Sequence, residues 1–304
     1  VLSPEQQFNI QRIAELCKFD LETKMVQEFP KLQGFMGGNY ASLKKETDVV
    51  CRGIVEHYYP RNTKDLFPQD LESVAVSIAD KFDLLITAFS INLKPSGAAD
   101  PFALRRIAQG VIQLIFGLRL SLNIQELISK GLMILEEQLS LDLENLKLED
   151  ELLLFLVKRQ RWFLQEKGFR YDLIEAVLRT KLDDSFLNDK NKLRVLPIEQ
   201  LEFAELLSEH LDTNKFKRSV ESIVRAENIC KKYPQKIAIK IKETDFLLPE
   251  EKNFFKILEP IINSEQDSYW APSNFLKQLL LIEPIVTSFF ENVLVMDEDP
   301  LKCG

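Results

Sequence analysis

The sequence predicts an all-α protein of two helical domains, residues 1–138 and 139–304. Three observations carry that expectation. Only 10 glycines and 13 prolines interrupt 304 residues, too few for a turn-rich β fold. Apolar residues recur at i, i+3, i+4 and i+7 through most of the chain, the spacing of helices with one buried face. The length also exceeds the roughly 250 residues at which a single core stops growing. Hydrophobic content of 45% and charged content of 28% give an ordinary globular balance.

From residue 5 to about 135 the helical pattern is broken at Phe29–Asn39, which holds Pro30, Gly34, Gly37 and Gly38, and at Tyr59–Gln69, which holds Pro60, Arg61 and Pro68. The clearest helix spans Leu71–Phe89. Leu71, Val74, Ala75, Ile78, Phe82, Leu85, Ile86 and Phe89 fall on one face, while Val76 and Leu84 flank Asp80 opposite it. Apolar residues on both sides place this helix inside a bundle. Leu93–Ala99 reads as a loop. Asp100 as N-cap and Pro101 at the first helical position then start another helix. Its buried stripe is Leu104, Ile107, Ala108, Val111 and Leu118, and Arg105, Gln109 and Gln113 face outward.

Leu139–Glu151 is acidic and alternates instead of repeating at helical spacing, which marks it as the domain junction. Helices are expected at Leu152 to about Arg179, Ile198–Leu211, Phe216–Lys232, Glu250–Asn263 and Ala271–Val295, with a polar loop at Lys181–Lys192. No fixed-period repeat or low-complexity tract is present.

A net charge of −8 means that any nucleic-acid site must be a local basic patch. The four cysteines (Cys17, Cys51, Cys230, Cys303) form no C-x-x-C pair, so a zinc site or disulfide framework is not expected. No run of about 18 apolar residues suggests a membrane span, and no leader pattern opens the chain. A soluble, cytoplasmic protein is expected. The start at Val1 and the end just past Asp299-Pro300 read as a piece of something larger.

Catalytic groups are few. His57 and His210 are the only histidines and neither lies in a metal-binding spacing, so a structural role is expected for His57. Neither a phosphate-loop nor a nucleophile-elbow motif occurs. Gly34-Phe35-Met36-Gly37-Gly38 reads as a tight turn with close backbone approach. Asp20 and Asp80 stand where HD-class phosphohydrolases place metal-binding aspartates. The residue before Asp20, however, is Phe19, and no histidine precedes it. Two carboxylates without imidazole hold a transition metal poorly. The scaffold is expected to be HD-like and its metal site lost.

Two basic stretches stand out. The first is Lys158-Arg159-Gln160-Arg161-Trp162-Phe163, extended by Lys167, Phe169, Arg170 and Tyr171, with Lys158 and Arg161 on one helical face. The second runs from Lys215 to Lys242. It carries nine cations (Lys215, Lys217, Arg218, Arg225, Lys231, Lys232, Lys236, Lys240, Lys242) against Glu221 and Glu227, a net of +7. Cations there can bind phosphate, and Trp162, Phe169, Tyr171, Phe216 or Tyr233 can stack on bases. Solvated helix faces for the charges and core positions for the aromatics are the competing readings.

Glu28-Phe29-Pro30-Lys31-Leu32-Gln33-Gly34-Phe35-Met36-Gly37 is similar to the EFPELQGIMG signature of one family, the glycyl-tRNA synthetase β subunit of the two-subunit, bacterial type. Tyr58-Tyr59-Pro60-Arg61, Ile78-Ala79-Asp80-Lys81-Phe82-Asp83 and Lys94-Pro95-Ser96-Gly97 with Asp100-Pro101-Phe102-Ala103-Leu104-Arg105-Arg106 resemble its YxPR, ALADKLD and KPTGSKDPFALRR strings. Phe155, Arg159, Arg161 and Gly168, then Arg225-Ala226-Glu227-Asn228-Ile229, continue the likeness. The family's paired Lys-Arg before that last segment is reduced here to Val224-Arg225.

The resemblance implies a degenerate HD-like bundle followed by a truncated DALR-like anticodon-binding domain. It further implies a tRNA-handling segment without a reaction centre or cofactor of its own. ATP and Mg would be used by a separate α subunit, and the partners would be tRNA(Gly) and that subunit, with no membrane. The tRNA-binding residues it implies are Lys158, Arg159, Arg161, Arg170, Lys215, Lys217, Arg218, Arg225, Asn228, Lys231 and Lys232, with Arg105 and Arg106 in support. The alternatives are an HD-type metal-dependent phosphohydrolase and a subunit-docking module without RNA affinity.

Overall fold

The computed structural model describes residues 2–139, 145–178, 196–232, 246, 248–262 and 272–293. The described residues form α-helices joined by turns and contain no strand, as the sparse breakers predict. Contacts divide the chain into two compact units, Val1–Leu201 and Glu202–Gly304. The junction expected at residues 138/139 therefore lies inside the first unit.

The first unit opens with α1 (Pro4–Leu16), α2 (Lys24–Glu28), α3 (Phe35–Leu43) and α4 (Asp48–Glu56), with 3-10 turns at Phe19–Glu22 and Pro30–Leu32. Then come α5 (Leu71–Ser90), α6 (Leu104–Gly117), α7 (Ile124–Leu139), α8 (Asn145–Glu166) and α9 (Tyr171–Leu178). α5 is the central element and packs against α1, α4, α6, α7 and α8. Val74, Val76, Ile78, Phe82, Leu85, Ile86 and Phe89 are all buried on it, as apolar residues on both sides of Asp80 predict. Leu71 and Leu84 are exposed exceptions. Leu85, Leu104, Ile112, Ile115, Ile128, Leu132, Leu152, Leu156 and Leu164 form the main core, and Ile13, Ala41, Val50, Ile54 and Val76 form a smaller one.

Several local expectations are corrected. Phe29–Asn39 is not wholly loop, because α3 begins at Phe35 and includes Gly37 and Gly38. A Cβ on Gly38 would stand 2.8 Å from the carbonyl oxygen of Cys51, so close approach to α4 sets the residue type, and the true turn is at Gly34 with φ +80°. α6 begins at Leu104, after a turn in which Ala103 adopts φ 54°. Asp100 is therefore not the N-cap residue proper. Its carboxylate reaches forward and accepts from the N–H groups of Leu104 (2.8 Å) and Arg105 (3.0 Å). The supposed outer face of α6 is largely covered: Gln113 is buried and Arg105 half-buried, on a helix packed against both α5 and α8.

The described residues of the acidic junction are helical. α8 starts at Asn145 because its acids find partners on neighbouring elements. Glu149 accepts from Gln125 Nε2 (2.7 Å) and Ser129 Oγ (2.9 Å) of α7, and Glu151 pairs with Lys94. Leu148 and Leu152, one turn apart, join the core.

Helix α10 (Pro197–His210) contains the boundary between the units. The second unit continues with α11 (Asn214–Lys232), α12 (Pro249–Ile262) and α13 (Pro272–Asn292), where α13 packs against both α11 and α12. Phe254 stacks on Phe289 with centroids 4.7 Å apart. The expected loop at Lys181–Lys192 lies outside the described residues, as do Tyr233, Lys236, Lys240 and Lys242.

Candidate nucleic-acid interface

The residues best suited to acid–base or metal chemistry are buried or ion-paired in the first unit. Asp20 is fully buried, and its Oδ2 accepts from the backbone N–H groups of Gly34 (2.7 Å) and Gly37 (3.0 Å), anchoring the first turn of α3. Asp80 forms an ion pair with Lys18. His57 is fully buried, with Nδ1 donating to the Ile54 carbonyl at 2.7 Å. Its ring lies 3.8 Å from that of Tyr58. Lys81 is also buried, and its ammonium donates to the carbonyls of His57 (3.2 Å) and Tyr59 (2.9 Å) and to Ser77 Oγ (2.8 Å). Both aspartates named by the HD comparison are thus engaged, one by backbone donors and one by a lysine.

The titration of this cluster gives a testable pH dependence. Burial pushes the His57 pKa below its ordinary value of about 6.5, with Lys18 and Lys81 adding to the shift and Asp80 opposing it. Below about pH 6.5 the unfolded chain therefore takes up a proton that the folded chain refuses, and stability is lost as pH is lowered, by about 1.4 kcal/mol per unit of depression. Burial likewise pushes Lys81 down to about 8 from 10.5, so between those values stability rises with pH. Melting curves of the chain across both windows should show these slopes. His57→Gln should flatten the acidic one.

The first basic stretch splits when its partners are seen. Lys158 is exposed on α8 and forms no ion pair with any described residue. Arg159 is half-buried, with its Cζ 5.7 Å from the centroid of the Phe155 ring. Arg161 is bound to Glu175 of α9 at 3.2 Å, and Arg170 to Asp172 at 2.7 Å, so neither is a free cation. Lys167 lies over Phe163. Phe163 and Phe169 pack against the core, whereas Tyr171 is exposed. Lys158 and Arg161 are three residues apart, as expected, but only Lys158 is open to a ligand.

The second stretch keeps its charge at the surface. Lys215, Lys217 and Arg218 are exposed on the first turns of α11, and no described residue pairs with them. Arg218 and Arg225 are seven residues apart, which puts them on one stripe about 10 Å apart along the axis. Arg225 lies over the Phe290 ring of α13 at 4.7 Å, which fixes its direction without neutralising it. Asn228 is exposed beside them, and Lys231 is paired with Glu227 at 2.7 Å. The backbone of Lys232 closes the helix. Arg106 on α6 is exposed and unpaired among described residues, while Arg105 donates to the carbonyls of Gly97 (2.7 Å) and Ala99 (3.4 Å). Lys94, named in the sequence only as part of the Lys-Pro-Ser-Gly string, is ion-paired with Glu151 of α8.

Fold and surface together define an all-α protein that displays Lys158, Lys215, Lys217, Arg218 and Arg225 on exposed helix faces. The family model of the glycyl-tRNA synthetase beta subunit matches residues 2–179. A glycine–tRNA ligase beta subunit of Halalkalibacterium halodurans is 36% identical over 298 residues, 96% of this chain and 41% of the relative. Those of Trichodesmium erythraeum and Lactobacillus acidophilus are 33% and 32% identical, covering 98% and 95% of this chain and 42% and 39% of the relatives. The chain belongs to the glycyl-tRNA synthetase β-subunit family. It spans about two-fifths of the length of these curated relatives.

Proposed function

We propose that this chain is a tRNA-binding and positioning part of a glycine–tRNA ligase. It holds tRNA(Gly) while an α subunit, using ATP and Mg, attaches glycine. The observation that supports this most is the set of solvent-facing cations Lys215, Lys217 and Arg218, paired with no described residue, in a chain of net charge −8. Local positive charge against an acidic background concentrates phosphate binding at one face, through counterion release. Lys158, Arg106 and Arg225 extend the set, with Asn228 as a neutral hydrogen-bonding partner. Arg161, Arg170 and Lys231 would have to break an ion pair first and contribute less. The degenerate HD-like character of residues 1–138 and the anticodon-binding, DALR-like character of residues 139–304 belong to the same reading. So do a cytoplasmic location and the lack of any cofactor in this segment. Among the described residues, no helix is long and apolar enough to cross a membrane.

A docking role has one observation in its favour. Met25, Phe29 and Phe35 expose 43%, 60% and 41% of their surface on the short elements before α4. Titrating the chain with tRNA(Gly) and a non-cognate tRNA at two salt concentrations separates the readings. Tighter, salt-sensitive binding of tRNA(Gly) is expected. No binding of either tRNA at low salt would leave the docking role in its place.

A further inference from the structure

In the first unit, α5 and α7 do not close fully against each other. They leave a groove of about 480 Å³ lined by Ile78, Phe82 and Ile86 of α5 and by Leu127, Ile134 and Leu135 of α7. Small residues are the cause. A Cβ on Gly131 would stand 2.3 Å from Cδ1 of Ile86, so the helices meet there only because the residue is glycine. Gly131, Ala75 and Ala79 then leave open the space that longer side chains would fill. The walls run from Ala75 to Thr87 and from Leu127 to Gln138, about 17 Å at 1.5 Å per residue.

An apolar trough of this kind is favoured when covered. Ile134 on its wall is 54% exposed and the neighbouring Met133 is 65% exposed. The two sides carry opposite charges. Asp83 of α5 is exposed and pairs with no described residue, while Lys130 of α7 reaches Glu126 only at 3.9 Å. Apolar walls offer no ligand to phosphates or base edges, which sets the groove apart from the RNA surface. They match the apolar stripe of a helix of about three turns. Such a helix fits best with a cation on the flank facing Asp83 and an anion on the flank facing Lys130.

Size decides where that helix comes from. A stable interface between separate proteins buries about 800 Å² per partner, a patch about 30 Å across and roughly twice the length of this groove. A second copy or a free partner held by the groove alone would dissociate readily. A segment of the same polypeptide is held differently. Tethering supplies an effective concentration of about 1 mM, at which a site of about 100 µM affinity is about nine-tenths filled. More than half of each relative's length lies outside the match with this chain. We propose that the α5–α7 groove docks an amphipathic helix supplied in cis by that remainder of the β-subunit polypeptide. The contact fixes the first unit to the rest of its own subunit, and it does not depend on RNA binding.

The test follows maleimide labelling of Ile134→Cys in two settings. One is the full chain, and the other is a chimera in which this chain replaces the matching two-fifths of the Halalkalibacterium halodurans beta subunit. Peptide mass spectrometry separates position 134 from the native cysteines. Labelling there should be about tenfold slower in the chimera, because a covered thiol is out of reach. Lys158→Cys, on an exposed face of α8, should label alike in both. Ala79→Arg, which fills the groove from an exposed position, should restore fast labelling. The rest of the relative, added in trans to the Ile134→Cys chain, should slow labelling with half the effect at about 100 µM. Equal rates in chain and chimera, with no effect in trans, would overturn the proposal. Slowing that persists in Ala79→Arg would mean cover over Ile134 without entry into the groove, and would overturn it too. Slowing in the chain by itself as its concentration is raised would make the occupant a second copy and overturn the cis helix.

Discussion

Asp20→Ala is expected to lower the stability of the first unit by about 3 kcal/mol, since two buried backbone donors lose their acceptor at once. Gly34 and Gly37 present their N–H groups to Asp20 Oδ2 at 2.7 and 3.0 Å. The opening of α3 has no side-chain cap of its own, because its N-cap residue is glycine. The carboxylate also sits at the positive end of the helix, where an anion is favoured. α3 packs against α4, so loosening its start reaches the small core of Ile13, Ala41, Val50 and Ile54. Chemical denaturation with a fixed m-value measures the loss. Asp20→Asn keeps one acceptor and should lose less than half as much. Equal losses in the two variants would mean that the charge, and not the acceptor, is what α3 needs.

The triple variant Lys215→Glu/Lys217→Glu/Arg218→Glu should reduce tRNA affinity by about 100-fold at low salt, since each reversal removes a phosphate contact and adds repulsion. Unfolding does not explain such a loss. All three positions lie in the first turns of α11 (Asn214–Lys232), where glutamates are favoured by the helix dipole. They are exposed, and no ion pair with a described residue is broken. Circular dichroism should therefore show helix content retained or raised while binding is lost. Affinity within about threefold of the unaltered chain would remove α11 from the interface.

Much of the fold was legible because it rests on periodicity. α5 announces itself by apolar residues nearly all round, and the structure surrounds it with five helices. The misread elements depend on partners distant in sequence. Gly37 and Gly38 look like a turn until α4 is brought against them. Asp100-Pro101 has the chemistry of a helix start, but the left-handed Ala103 delays the helix by three residues, and nothing in an alanine signals that. The Leu-acid alternation after Leu139 resembles a linker only while Gln125, Ser129 and Lys94 are out of view.

The candidate interface shows the same division. The sequence locates every cation but not which are neutralised. Glu175 takes Arg161 and Asp172 takes Arg170, while Lys158 and the cations at the start of α11 pair with no described residue. The placing of His57 against Lys81 was equally hidden. The two are 24 positions apart in sequence, and the packing of α4 on α5 brings them together.

The central claim is that RNA meets the chain at α11 and at the Lys158–Arg159 turn of α8. Ultraviolet cross-linking of the chain to a tRNA(Gly) transcript, followed by mass spectrometry of the cross-linked peptides, tests it most directly. Adducts are expected in peptides from Asn214–Lys232 and from Asn145–Glu166, and they should fade as salt is raised. Adducts confined to α1–α4, or adducts that persist unchanged at high salt, would contradict it.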